Sequence, residues 1–211
     1  MKKCPLCGSS NIKDSLKGPD KRIFYLCGVC CLITADKSHR LGREEEKKRY
    51  LSHNNGIEHK GYVDFLNRVI NPAMRYIKPG MKGLDYGCGP SPTISVLLEK
   101  KGLYCENYDP IFFPKGVKKS RYDFIFSTEC FEHFFSPYRE IKRLISHIKK
   151  GGFLAVMTEL WENPSNFGRW YYARDNTHVS FYHADTMRWI ESHFGLYPAY
   201  NDNKRVFIYK A

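Results

Sequence analysis

Near the start of the chain, four cysteines fall in two C-x-x-C pairs, Cys4 with Cys7 in "CPLCGSSN" and Cys27 with Cys30 in "YLCGVCCL". Thiolates at that spacing can all reach one tetrahedral ion, and the stretch between the pairs is long enough for a hairpin. Gly8 and Gly28 are expected to free the backbone to curl around the metal. Zinc is the expected ion. Iron would satisfy the same four sulfurs, Cys31 could replace its neighbour Cys30, and a disulfide pair or unrelated core cysteines are the remaining alternatives. Four thiolates leave no open coordination position, which makes the role structural. In so short a segment the metal would supply most of the folding free energy.

A second constellation lies in "GLDYGCGPSP", Gly83 to Pro92. Gly87 and Gly89, flanking Cys88, would let a ligand approach the backbone closely, and a helix after them would offer free N–H groups and a positive dipole end. Asp109, closing "LYCENYD", can accept hydrogen bonds from both hydroxyls of a ribose. Together these residues describe a nucleoside-containing cofactor. A dinucleotide site usually shows G-x-G-x-x-G, but here Pro92 takes the third glycine's place and a lone G-x-G is a weak signal. Asp85 adds information, because an anion two residues before Gly87 repels phosphate and can hold the ammonium of an amino-acid moiety. That favours S-adenosylmethionine over a nicotinamide dinucleotide. The plainer readings make Asp85 a buried acid capping the glycine loop and Asp109 a turn-former ahead of Pro110.

These residues need elements to position them. With 211 residues, 42% of them hydrophobic and 15% aromatic, the chain can bury one sizeable core and has a few dozen residues left for an appendage. The division expected is a metal-bound module over residues 1–35, a polar helical linker over 36–60 that ends near Asn54, Asn55 and Gly56, and a main domain over 61–211. Val63, Leu66, Val69 and Ile70 share a helical face. Strand and helix signals then alternate, the pattern of an α/β domain with a mostly parallel sheet. "MKGLDYG", "LYCENYD", "YDFIFST" and "FLAVMT" read as strands. Ser91 is expected to cap a helix that starts at Pro92, Ser136 with Pro137 to open another that Gly151 stops, and "LYPAY" with "RVFIYK" to form a hairpin turned by Asn201 to Asn203.

The net charge of +12 favours nucleic acid or other anionic partners and says nothing of fold. No apolar run reaches the length of a membrane span, and the lysine-rich start lacks the apolar stretch of a secretory signal. A soluble, cytoplasmic protein is the expectation.

From Tyr62 to Lys210 the chain resembles the class I S-adenosylmethionine-dependent methyltransferases, through "LDYGCG", "NYDP", "YDFIFSTECFEH", "KKGGFLAVMT" and the terminal hairpin. The N-terminal piece resembles a zinc ribbon, with Cys4, Cys7, Cys27 and Cys30 the matching positions. The first resemblance implies a Rossmann-like sheet with cofactor contacts at Asp85, Gly87, Cys88, Gly89 and Asp109, and further ones at Ser127 and Thr128. Two departures stand out. Ser91 replaces the family's third glycine, and too few residues separate Asp109 from Tyr122 for the usual helix, strand and helix. The third strand should therefore be missing or vestigial, with the adenine pocket more open or lined by Phe112 and Phe113. In such enzymes a helix before the first strand often closes the pocket, which would bring Tyr50, His53 or Asn55 to the methionine end.

Methyl transfer from a sulfonium needs positioning, and a general base only where the acceptor carries a proton to lose. The residues expected where the acceptor stands are Glu129, Glu132 and His133 in "ECFEHF", and Trp170, Tyr171, Asp175, His178 and Tyr182 in "RWYYARDNTHVSFYH". His133 or His178, with Glu132, are the catalytic candidates. The aromatic loop could form a lid, stack on a planar acceptor or simply pack over the sheet. A zinc module on this fold resembles both ribosomal RNA guanine methyltransferases and sugar C-methyltransferases, so the acceptor expected is RNA or a small molecule. A non-catalytic zinc-containing RNA-binding or adaptor protein on a methyltransferase-like fold is the reading from another class.

Overall fold

Strands that are apolar on both faces need cover on both, and the central strands of this chain are of that kind. The protein is described here by a computed structural model covering residues 3–53, 55–115, 117 and 121–211. In chain order its elements are β1 (Ile12–Lys17), β2 (Ile23–Cys27), β3 (Ile33–Ala35), α1 (Arg43–Leu51), α2 (Lys60–Ala73), β4 (Lys82–Tyr86), α3 (Thr93–Glu99), β5 (Tyr104–Tyr108), β6 (Tyr122–Thr128), α4 (Pro137–Ser146), β7 (Ile148–Met157), β8 (Ser180–Phe181), α5 (Ala184–Phe194), β9 (Tyr197–Asn201) and β10 (Val206–Lys210). The main sheet has the order β5-β4-β6-β7-β10-β9. Its first four strands run parallel, while β10 lies antiparallel to both β7 and β9. Among the described residues no strand lies outside β5, in keeping with a third strand that is missing. The chain leaves β4 for β5 on one side and returns to β6 on the other, which makes the carboxyl end of β4 the switch point where such sheets bind ligands.

Side-chain alternation divides the core between the two faces of this sheet. Leu84, Ile125, Leu154 and Val156 meet Ile141 and Leu144 of α4 and Met187 and Ile190 of α5. Phe124, Phe126, Ala155 and Met157 meet Leu66, Val69 and Ile70 of α2 and Ile94 and Leu98 of α3.

The second sheet, β1-β2-β3-β8, is antiparallel and joins the two ends of the sequence. Ile33 and Thr34 of β3 pair with Phe181 and Ser180 of β8. Phe24, Leu26 and Ile33 pack with Trp161, Phe167, Tyr172 and Phe181 from the long segment after β7. One buried side chain strengthens this seam. Arg22, 7% exposed, donates to the carbonyls of Ala173, Asp175, Asn176 and His178 at 2.8 to 3.2 Å and pairs with Asp20. A planar guanidinium with five donors can hold four carbonyls at once; an ammonium cannot.

Several local expectations change. Helix α3 begins at Thr93 rather than Pro92, and the Ser91 side chain makes no capping bond. Pro92 is the cap residue and Ser91 instead accepts the Thr93 N–H through its carbonyl. Helix α4 ends at Ser146, so Gly151 does not stop it; Gly151 sits at φ 78° inside β7, where its N–H donates to the Ala211 carbonyl. Around the cysteines Gly8 is left-handed, a Cβ on Gly28 would strike Asn11 and Lys13, and the residue at positive φ after the second pair is Cys31. Of the linker's expected end, Asn54 lies outside the described residues, and α1 itself closes at Leu51. No helix of the described residues is long and apolar enough to cross a membrane.

Candidate functional site

The four sulfurs of the N-terminal pairs converge. Cys4 Sγ lies 3.6 Å from Cys30 Sγ, and Cys7 Sγ lies 3.5 Å from Cys27 Sγ. A tetrahedral ion with bonds of about 2.3 Å sets its sulfurs about 3.8 Å apart, so the donor set fits one ion closely. Cys31 is not in this cluster; its sulfur points to Asp185 Oδ2 at 3.8 Å. The fourth sulfur of the cluster is therefore that of Cys30. Cys4, Leu6, Cys27, Cys30 and Leu32 share one buried cluster with α4 and α5, which ties the module to the main sheet.

A cleft of about 1040 Å³ opens at the carboxyl ends of β4, β5 and β6. Asp85, the fourth residue of β4, is 2% exposed, and its Oδ1 is buried with no hydrogen-bond partner. Burial, reinforced by Asp109, pushes its carboxyl up to about 8. Such an acid calls for a cation or a donor from a ligand. Gly87 and Gly89 both adopt left-handed conformations, at φ 82° and 65°. A Cβ on Gly87 would strike Cys130 Sγ at 2.3 Å, whereas one on Gly89 would meet nothing within 4 Å. The first glycine is needed for the fold and the second faces open cleft.

Asp109 accepts from the N–H groups of Ile111 and Phe112 through Oδ1 and from Gly89 through Oδ2. These bonds make it the turn-former and also fix its carboxylate at the cleft wall. Phe112 and Phe113 do not line the cleft, and its wall there consists of Tyr108, Pro110 and Ile111. Thr128 lines the cleft, while Ser127 is wholly buried within β6. Cys88, Tyr50, His53 and Asn55 also face the cavity. Glu46, Arg49 and Tyr50 reach it from one face of α1, and His53 from just past the helix end.

Beyond β6 the chain turns sharply at Glu129, a non-glycine residue at φ 46°. Glu132 and His133 follow in a single 3-10 turn, Phe131–His133. The ring of His133 lies 4.9 Å from that of His178 and 5.3 Å from Tyr50. His133 Nδ1 faces the Thr177 carbonyl at 3.1 Å and His178 Nδ1 the Tyr172 carbonyl at 2.8 Å. A carbonyl can only accept, so each Nδ1 carries a proton, and in the neutral ring Nε2 is then the nitrogen with the lone pair. Burial, with His133 adding to it, lowers His178 to about 3 and keeps it neutral at physiological pH. Glu132 is fully buried and accepts the Thr158 hydroxyl at 2.8 Å. The three candidates for chemistry thus stand together.

The aromatic loop divides. Tyr171, Tyr172, Arg174, Asp175 and His178 line the cleft, whereas Trp170 packs with Phe167, Tyr172 and Phe181, and Tyr182 is buried with its hydroxyl on the Phe131 carbonyl. Asp175 receives Arg49 of α1 at 2.7 Å. Against a burial penalty, bonds from Thr177 and Arg49 hold its carboxyl well below the usual range. Sequence reading missed Tyr172, Thr158, Arg205 and Arg22. None carries a local motif; each matters through a partner distant in the chain.

Residues 57–199, more than half of the chain, match the family described as methyltransferase domain (Methyltransf_23). Among curated proteins none matches the sequence. Solved structures show the fold. A chain of the complex between the Haloferax volcanii Trm112 methyltransferase activator and a putative methyltransferase is 13% identical, with TM-score 0.55 over 81% of this chain and 99% of that one. The Burkholderia thailandensis 1,6-didemethyltoxoflavin-N1-methyltransferase, solved with bound 1,6-didemethyltoxoflavin and S-adenosylhomocysteine, is 11% identical with TM-score 0.50 over 90% of this chain and 95% of that one. The CurJ carbon methyltransferase is 13% identical with TM-score 0.46, and the chain spans about half of it, 53%.

Proposed function

We propose, from the premise that the chain belongs to the methyltransferase domain family of class I S-adenosylmethionine-dependent methyltransferases, that it methylates a small-molecule acceptor held between α1 and the loop after β7. The single observation that carries the cofactor reading is Asp85, a buried carboxylate with an unpartnered oxygen beside an open glycine loop. Its negative end would hold the ammonium of S-adenosylmethionine, Gly87 and Gly89 would let the methionine end lie against the backbone, and Asp109 would hold the ribose hydroxyls. The cofactor supplies an electrophilic methyl group. Zinc at Cys4, Cys7, Cys27 and Cys30 would lock the N-terminal sheet against the acceptor loop. The residues reaching the acceptor would be Glu129, His133, Tyr171 and His178, with Glu132 behind the histidines.

The size of the cleft supports a small acceptor, since small-molecule sites run to roughly 1,000 Å³. Its lining alternates Arg43, Arg49, Arg143, Arg174 and Arg205 with Glu46, Glu129, Glu140 and Asp175, which is no phosphate track. The +12 charge favours RNA instead. Radiolabelled methyl transfer into total RNA and into a small-molecule extract separates these acceptors, and RNA binding would weaken steeply with salt. Titration with S-adenosylhomocysteine should raise the melting temperature, whereas NAD should not. No response to S-adenosylhomocysteine would sink the reading and favour the adaptor.

A further inference from the structure

One carboxylate and two imidazoles come together beyond β6, apart from the residues assigned to the cofactor, with a second carboxylate three residues away in the chain. One donor atom each from Glu132, His133 and His178 lies within 4.8 Å of the others. Glu132 Oε1 is buried and has no hydrogen-bond partner, although Oε2 takes the Thr158 hydroxyl. Glu129, three residues earlier, repeats the pattern: Oε2 accepts the Tyr172 hydroxyl at 3.2 Å and Oε1 is buried without a hydrogen-bond partner, with Arg205 Nη1 4.0 Å away. A second grouping of Cys31, His183 and Asp185 differs, because its donors are already engaged with one another and with Arg188.

We propose that Glu132, His133 and His178, with Glu129 beside them, bind one divalent metal ion at the acceptor end of the cleft. The buried Glu132 Oε1 is costly unless a cation meets it, and Glu129 Oε1 has only the Arg205 guanidinium 4.0 Å away. Both histidines are anchored through Nδ1 to backbone carbonyls, the arrangement by which proteins aim Nε2 at a metal. Imidazole with carboxylate suits the first-row ions from manganese to zinc, in contrast to the four-thiolate cluster. Three or four protein donors leave coordination positions open, and Glu129, His133 and His178 all face the cleft. Those positions would take oxygen donors of the acceptor, a hydroxyl or an enol. That last clause rests on the methyl-transfer reading; the ion site does not.

The test is cobalt(II) titration of the chelator-treated full chain, followed by metal content and visible spectrum. The expected result is two ions per chain, one with thiolate charge-transfer absorption and one without. The second should be lost in His133→Ala and in Glu132→Gln while the thiolate band persists, and His183→Ala should keep both. Because Glu132 is buried, the half-exposed His133 provides the variant that leaves packing least disturbed. One ion only, of wholly thiolate character, overturns the proposal, as does a second ion that survives in His133→Ala and Glu132→Gln. S-adenosylhomocysteine binding is measured on the same samples. Its failure would strike the methyl-transfer reading and leave the metal result standing.

Discussion

At the four-cysteine cluster the donors already face one another at 3.5 and 3.6 Å within a buried shell, whereas Asp85 and Glu129 at the cleft wall and Glu132 behind it each keep a buried oxygen with no hydrogen-bond partner. The first arrangement satisfies itself with one ion and offers nothing further to bind. The second holds polar groups in a dry setting at a cost in stability, which a ligand can offset. Loss of a group should therefore cost stability in the ribbon and binding in the cleft, with Arg22 standing on the boundary between them.

The largest effect is expected at Cys30. Cys30→Ser should lose the ion and on the order of 4 kcal/mol of stability, read from metal content and denaturant unfolding, while Cys31→Ser should stay within about 0.5 kcal/mol. Equal losses would put Cys31 among the ligands after all. Next comes Arg22→Ala, which strands four carbonyls, those of Ala173 and His178 buried, and should cost about 3 kcal/mol, seen as a lower melting temperature with S-adenosylhomocysteine affinity nearly kept. An unchanged melting temperature would mean that the two sheets hold together without this bridge.

Asp85→Asn should weaken S-adenosylhomocysteine binding roughly a hundredfold, about 2.7 kcal/mol, by calorimetry. Its effect on the unliganded protein should have the other sign. The folded carboxyl titrates near 8 and an unfolded one near about 4, so between those values the folded state binds more protons and stability falls as pH rises. The variant should lack that decline, and unfolding of both forms at pH 5 and pH 8 will show whether their difference grows. The smallest pair of effects concerns the glycines. Gly87→Ala should cost about 2 kcal/mol, from left-handed strain and the clash with Cys130; Gly89→Ala should cost about 1 kcal/mol and show chiefly as weaker S-adenosylhomocysteine binding. Equal stability costs with unaltered binding would remove Gly89 from the cofactor wall.

The strands of the main sheet were legible because burial on both faces leaves an apolar run, as in "YDFIFST", and the hairpin because Asn and Asp mark its turn. Strand β8 was not, since two residues carry no periodicity and exist as a strand only by pairing with β3. Helix ends were misplaced for a similar reason. Ser91 has the composition of a cap, yet the chain's path past Pro92 decides which atoms face the free N–H groups.

The sequence by itself determined the cysteine spacing, the order of strands and helices, and the acids at the ends of β4 and β5, because each is set by residue type within a short window. Only the tertiary structure decided that Cys30 rather than Cys31 completes the cluster, that Arg22 clasps residues 173–178, and that His178 meets Glu132 and His133. Those facts depend on segments far apart in the chain being brought within a few ångströms, and no local pattern encodes such a meeting.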